Sequence, residues 1–190
     1  MMTNINGCVS DEDIVGKTSL KNELRTKKIH DMIAKKKYGW RLMDVPNELK
    51  TNEMCVIAVG NNGRALKHVP DKMKTKELCE TAVENDVWAL KYVPNVLKTP
   101  KMCETVVGEN GHMLRYIPGE FKTKEMCEIA VGNNGRSLKY VPPELKTKEI
   151  CEIAVRNDGD SFGYVPPDLK TEELLDIVLE ELATQISFAQ

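Results

Sequence analysis

Five cysteines stand at Cys55, Cys79, Cys103, Cys127 and Cys151, each 24 residues after the last. Thiols at a fixed period invite disulfide pairing or metal ligation. If equivalent residues of adjacent repeats stack at the usual interhelix distance of about 8–10 Å, they lie beyond the ~7 Å Cα separation that a disulfide tolerates. A zinc site needs several donors converging on one point, and one Cys per layer with no paired His does not supply them. The cysteines are therefore expected to act as small buried hydrophobes fitted between layers, with no bound metal. Cys8 lies outside the ladder, as a simple exposed thiol.

Catalysis by acid–base or nucleophilic chemistry finds little to work with. The three histidines, His30, His68 and His112, occupy different positions in different repeats. His68 stands where other repeats carry Tyr, and His112 where two others carry Arg64 and Arg136. The segment Val15–Ser19, VGKTS, resembles the end of a phosphate loop, but the glycine required five residues before Gly16 is Asp11, so the glycine cradle is missing. The expectation is a protein that is not an enzyme and takes no cofactor.

Binding chemistry is better represented. Lys67, Lys91, Arg115 and Lys139 form a cationic ladder, and His68, Tyr92, Tyr116, Tyr140 and Tyr164 form the ladder beside it. Stacked repeats turn such positions into parallel stripes, where an aromatic ring beside a cation can hold acidic peptides, or phosphates with stacked bases. The plainer alternative is a Tyr ring packed between layers with its hydroxyl wet and a solvated Lys. Trp88 breaks the repeat beside Val87, which replaces the usual Gly, and is either a partner contact or a residue packed at a layer junction. Trp40 is the other irregular tryptophan. The acidic ladder Glu80, Glu104, Glu128 and Glu152, with Lys124 and Lys148 four residues before the last two, reads as ordinary surface pairs. The basic run Lys35–Lys37, near Lys27, Lys28 and Arg41, could touch nucleic acid or serve as an import signal.

All these ladders run on one clock. Prolines fall at Pro46, Pro70, Pro94, Pro118, Pro142 and Pro166, and lysines from Lys50 to Lys170 follow the same step. The consensus T-K-E-M-C-E-x-A-V-x-N-N-G-R-x-L-K-Y-V-P-x-x-L-K continues without a gap, and such a period marks a stacked-repeat architecture. Within a unit, Thr caps a helix and the acidic residue two positions on suits its positive end. Met126, Cys127, Ala130 and Val131 then share one helical face. Asn-Gly should end that helix through left-handed dihedrals. Leu138 and Val141 mark a second, shorter helix closed by Pro142. The P-x-x-L-K tail should return Leu145 to the core and leave Lys146 where free carbonyls meet a positive charge. A leucine-rich horseshoe with strands is the competing architecture. It is disfavoured because the position of Ile153 holds Thr81 and Thr105 elsewhere, while the constant apolar positions have helical spacing.

The pattern A-V-x-x-N-G-x-x-L-x-x-V-P-x-x-L-K, carried here by Ala130, Val131, Gly135, Leu138 and Leu145 and their counterparts over about residues 27–175, resembles the helical repeats of domain of unknown function 4116. The Cys ladder and the strictly fixed Pro depart from the family pattern. The resemblance implies fold rather than activity.

The expected architecture is all-α, a right-handed α-solenoid of short helix-turn-helix repeats. Its predicted parts are an N-terminal segment and cap helix (1–26), six repeats (27–171, the first degenerate, with Asp31 and Lys35 off pattern) and a C-terminal capping helix (172–190). The cap should pack through Leu174, Leu175, Val178, Leu179 and Leu182, and a helix near Ser19–Lys36 should turn Leu20, Leu24, Met32 and Ile33 inward, with residues 1–18 loosely held. The 27 basic and 29 acidic residues nearly cancel, which argues against wholesale coating of nucleic acid but not against a local patch. No apolar run is long enough to span a membrane, and no signal peptide is seen, so a cytoplasmic or otherwise intracellular setting is expected. The expected function is that of a non-enzymatic scaffold for a protein partner, as an inhibitor or modulator, with nucleic acid as the alternative partner and self-association through the terminal repeats.

Overall fold

The structure, a computed structural model, describes residue 21, residues 23–28 and residues 39–188. Among these residues there are helices and turns but no strand, in tandem units that form an all-α solenoid. The central units run 51–74, 75–98, 99–122, 123–146 and 147–170, and their α-helices are α1 (Asn52–Asn61), α2 (Lys76–Asn85), α3 (Pro100–Glu109), α4 (Lys124–Asn133) and α5 (Lys148–Asn157). The longer α6 (Glu172–Phe188) ends the stack.

One unit shows how the sequence makes the shape. The Thr123 hydroxyl accepts from Met126 N at 3.2 Å and caps α4. Met126, Cys127, Ala130 and Val131 are buried on one stripe of the helix. After α4 comes a six-residue 3-10 helix, Gly135–Tyr140, and then a three-residue one, Pro143–Leu145. The short segment takes the 3-10 form for two reasons. The seven residues between the Asn134 cap and Pro142 give an α-helix few bonds to offset its nucleation. The three-residue period also stacks Leu138 beneath Val141, both buried. Val141 is extended, as a residue before Pro must be. Thus each unit presents one α-helix and one 3-10 helix, and the core runs unbroken between them from Leu42 to Ile177.

Asn-Gly works differently from the expectation. Asn134 is extended, with φ −157° and ψ 104°, so neither partner supplies a left-handed stop. The Asn134 side chain accepts from Arg136 N and caps the following 3-10 helix. The glycine is needed for close approach. A Cβ on Gly135 would overlap the Ala154 carbonyl oxygen of α5, and Gly63 and Gly111 stand in the same way against Ala82 and Ala130 of the next helix.

Both ends depart from expectation. Leu24 is 72% exposed rather than inward. In α6, Leu174 and Ile177 pack inward while Leu175 and Leu179 face out. They hold the register of Cys151 and Val155, which are buried in α5 because α6 covers them, whereas no further described layer covers α6. Among the described residues, no helix is long and apolar enough to cross a membrane. Cys8, His30, Asp31, the Lys35–Lys37 run and the N-terminal segment to residue 20 lie outside the described residues, as do the side chains of Trp40, Arg41 and Leu182.

Candidate functional site

The cationic and aromatic ladders share the long 3-10 helices, near the end of each. Lys67, Lys91, Arg115 and Lys139 are exposed, and His68, Tyr92, Tyr116 and Tyr140 beside them are half-buried, with Tyr164 more open at 38%. The rings of Tyr92, Tyr116 and Tyr140 rest against the core, while Lys91, Arg115 and Lys139 lie over ring faces. Lys139 Nζ sits 4.8 Å from the Tyr140 centroid and 5.9 Å from that of Tyr164 in the next unit. The Arg115 guanidinium sits 5.0 Å from Tyr116 and 5.7 Å from Tyr140. His112 meets the edge of Tyr140 at 5.3 Å. From unit 99–122 onward the ladders thus merge into one stripe, in which each cation bridges two rings. Lys91 behaves differently, since it lies 4.8 Å from Tyr92 and 5.9 Å from Trp88, both within its own unit. Each such contact contributes about 0.5–1 kcal/mol at an exposed site.

The stripe's histidines stay uncharged near neutrality. Burial lowers the pKa of His68, helped by Lys67 and Lys50, and burial lowers that of His112, helped by Arg115 and Lys139. The stripe's positive charge therefore resides on its lysines and arginine.

A second lysine ladder, which period alone did not assign a partner, lies beneath. Lys50, Lys74, Lys98, Lys122 and Lys146 each reach one unit forward and donate to the backbone carbonyl at the end of the next long 3-10 helix. The acceptors are His68 O (2.6 Å), Tyr92 O (2.9 Å), Tyr116 O (2.5 Å), Tyr140 O (2.8 Å) and Tyr164 O (2.8 Å). The lysine expected at a free carbonyl does meet one, but in the neighbouring layer. This bond satisfies an otherwise open 3-10 terminus and fixes the aromatic residue of the stripe from behind. Burial lowers the pKa of Lys50, Lys98, Lys122 and Lys146.

Further bonds hold neighbouring layers in register. Asn133 Nδ2 donates to Val107 O and Gly108 O at 3.0 and 2.9 Å, and Asn85 does the same to Val59 O and Gly60 O. Asn157 both donates to Gly132 O and accepts from Gly135 N, each at 2.7 Å. Arg64 pairs with Asp86 at 2.6 Å, and Arg136 with Asp158 at 2.8 Å as well as with Asp160. A sequence signal for these pairs exists. Asp replaces the capping Asn at 86 and 158, where the preceding unit carries Arg64 or Arg136.

The cysteines carry none of the site. All five ladder thiols are free and fully buried, and burial pushes Cys79, Cys103 and Cys127 up to about 11, far from the thiolate that reactivity needs. Among the described residues, no group of three or more His, Cys, Asp or Glu side chains is placed to hold a metal ion. The Glu ladder forms surface pairs at Lys76–Glu80, Lys124–Glu128 and Lys148–Glu152, 3.7–4.0 Å apart. Trp88 is half-buried against the core, and its backbone N–H donates to Asp86 Oδ1 at 2.9 Å.

No curated protein and no solved structure matches the chain. A family model described as Domain of unknown function (DUF4116) matches residues 52–98, 99–146 and 123–170, each match about two units long. These matches begin at or beside the capping threonines, so the family's unit and the physical unit share their boundary. The chain belongs to the family Domain of unknown function (DUF4116).

Proposed function

We propose that the protein is a non-enzymatic binding scaffold whose stripe of Lys67, Lys91, Arg115 and Lys139 with His68, Tyr92, Tyr116, Tyr140, Tyr164 and Trp88 receives an acidic protein partner, whose activity it inhibits or modulates. The observation that carries this reading is the bridging of successive rings by Arg115 and Lys139. Rings braced by the core and tethered carbonyls need little ordering on binding, and each cation keeps N–H groups free for carboxylates. Tyr and Arg are also the side chains that most often anchor protein interfaces.

The test is affinity purification from the native cell, with mass spectrometry, of the wild type against Tyr92→Ala/Tyr116→Ala/Tyr140→Ala. The expected result is loss of one specific acidic protein from a variant that keeps its helical circular dichroism. Retention of the whole set of captured proteins by the folded variant removes the stripe from consideration. The same stripe could stack bases over phosphate contacts. That alternative predicts binding to single-stranded nucleic acid that weakens steeply with salt, and absent or salt-independent binding eliminates it.

A further inference from the structure

The junction between units 75–98 and 99–122 lacks the devices that lock its neighbours. Val87 stands where Gly63, Gly111 and Gly135 touch the next helix, and a Cβ at those glycines would overlap a backbone carbonyl oxygen. With a full side chain at this point, the layers cannot close to the same distance. Glu109 replaces the asparagine that ends α2, α4 and α5 and reaches back from each to the preceding helix. Trp88 sits where Arg64 and Arg136 reach across to an aspartate. Lys91 contacts rings of its own unit alone, while Arg115 and Lys139 bridge forward.

These substitutions fall at one place, and an open cleft of ≈ 100 Å³ lies there between α2 and α3. Glu80, Val83 and Glu84 form one wall, and Thr99, Lys101, Met102 and Thr105 the other. Among the described residues, the one side-chain hydrogen bond across the junction is Lys98 Nζ to Tyr116 O. It lies at the 3-10 side, away from the α2–α3 cleft.

We infer that the solenoid hinges between units 75–98 and 99–122, with the Lys98–Tyr116 tether as its pivot. The stack then comprises two cooperative blocks, 39–98 and 99–188. A linear array held by nearest-neighbour interfaces separates first at its weakest interface. Because the pivot lies next to Tyr92 and Tyr116, opening or closing the cleft changes the angle between the two halves of the aromatic stripe. The scaffold can thus adjust its curvature to a partner without disturbing the packing inside either half.

Native-state hydrogen exchange of the full chain, followed by mass spectrometry through increasing sub-denaturing urea, tests this directly. The wild type is expected to show two exchange isotherms, one for α1 and α2 and another for α3, α4 and α5. Amides flanking the cleft should exchange about tenfold faster than those of the 123–146/147–170 junction, which keeps its extra hydrogen bonds. The double variant Val87→Gly/Glu109→Asn should merge the two isotherms and slow exchange at the cleft. A single isotherm in the wild type, or a split at another junction, overturns the inference without recourse to any variant. So does a folded double variant whose isotherms remain as separate as before.

Discussion

The junctions 123–146/147–170 and 75–98/99–122 are built from the same 24-residue plan, yet one is locked and the other is open. At the first, Gly135 lets the backbone of one layer press on the α5 carbonyls. Asn157 donates and accepts across the gap, Arg136 reaches Asp158, and Lys146 ties down Tyr164. At the second, Val87, Glu109 and Trp88 occupy the corresponding places and, among the described residues, the lysine tether is the one side-chain hydrogen bond that remains beside the apolar core. The difference teaches that a repeat protein's rigidity resides in a few interlayer positions. The helices themselves are equally well formed on both sides, since α2 and α3 keep their threonine caps.

The sharpest way to break the contrast is to give the locked junction the wedge of the open one. Gly135→Ala places a methyl group on a backbone oxygen that cannot rotate away, and it should cost about 3 kcal/mol in urea unfolding. A cost below about 1 kcal/mol would show that the layers can part freely there. Next come the lysines. Lys122→Met should cost about 2 kcal/mol, since it strips a charged donor from the Tyr140 carbonyl. At the open junction, Lys98→Met should in addition separate unfolding into two transitions, because among the described residues no other side-chain hydrogen bond or ion pair joins the blocks. A single transition in that variant would mean that apolar contact alone couples them.

Smaller effects sharpen the comparison further. Asn157→Ala should cost about 1–2 kcal/mol, and Glu109→Asn should add up to about 1 kcal/mol by supplying the missing bonds to the α2 carbonyls. Equal and negligible effects of both would leave the asparagine ladder with no energetic part. Smallest of all, Ser137→Ala should stabilise the protein by about 1 kcal/mol or less. Its hydroxyl is buried with no partner, where unit 75–98 carries Ala89. Thermal unfolding resolves the sign, and a clear loss of stability would point to a hydrogen bond that Ser137 makes.

Part of this molecule could be read residue by residue before any coordinates. Thr123, Cys127, Leu138 and Pro142 act as their types and spacing demand, because capping, helical burial and the steric effect of proline are local. Asn134 and Gly135 show the limit of such reading. Local propensity pointed to a left-handed stop, whereas the pair caps the 3-10 helix after it and leaves a gap for the next α-helix. Lys146 meets a carbonyl as its charge and place in the turn predict, but which one only the stacking decides, since the acceptor lies 18 residues on in the next layer. Amphipathic spacing predicts Leu175 and Leu179 inward, yet both are exposed, since burial at the last described layer depends on whether another layer covers it.

By itself the sequence determined the period, the helical class, the cap of each unit and the pairing of cation and ring along one face, all of which arise from short-range chemistry repeated in register. Only the tertiary structure decided which carbonyl each lysine tethers, which glycines admit a neighbour and where the stack comes apart. Those outcomes depend on distances between residues that a chain of 24-residue steps brings together, and a substitution such as Gly to Val has no meaning there until the opposite layer is in place.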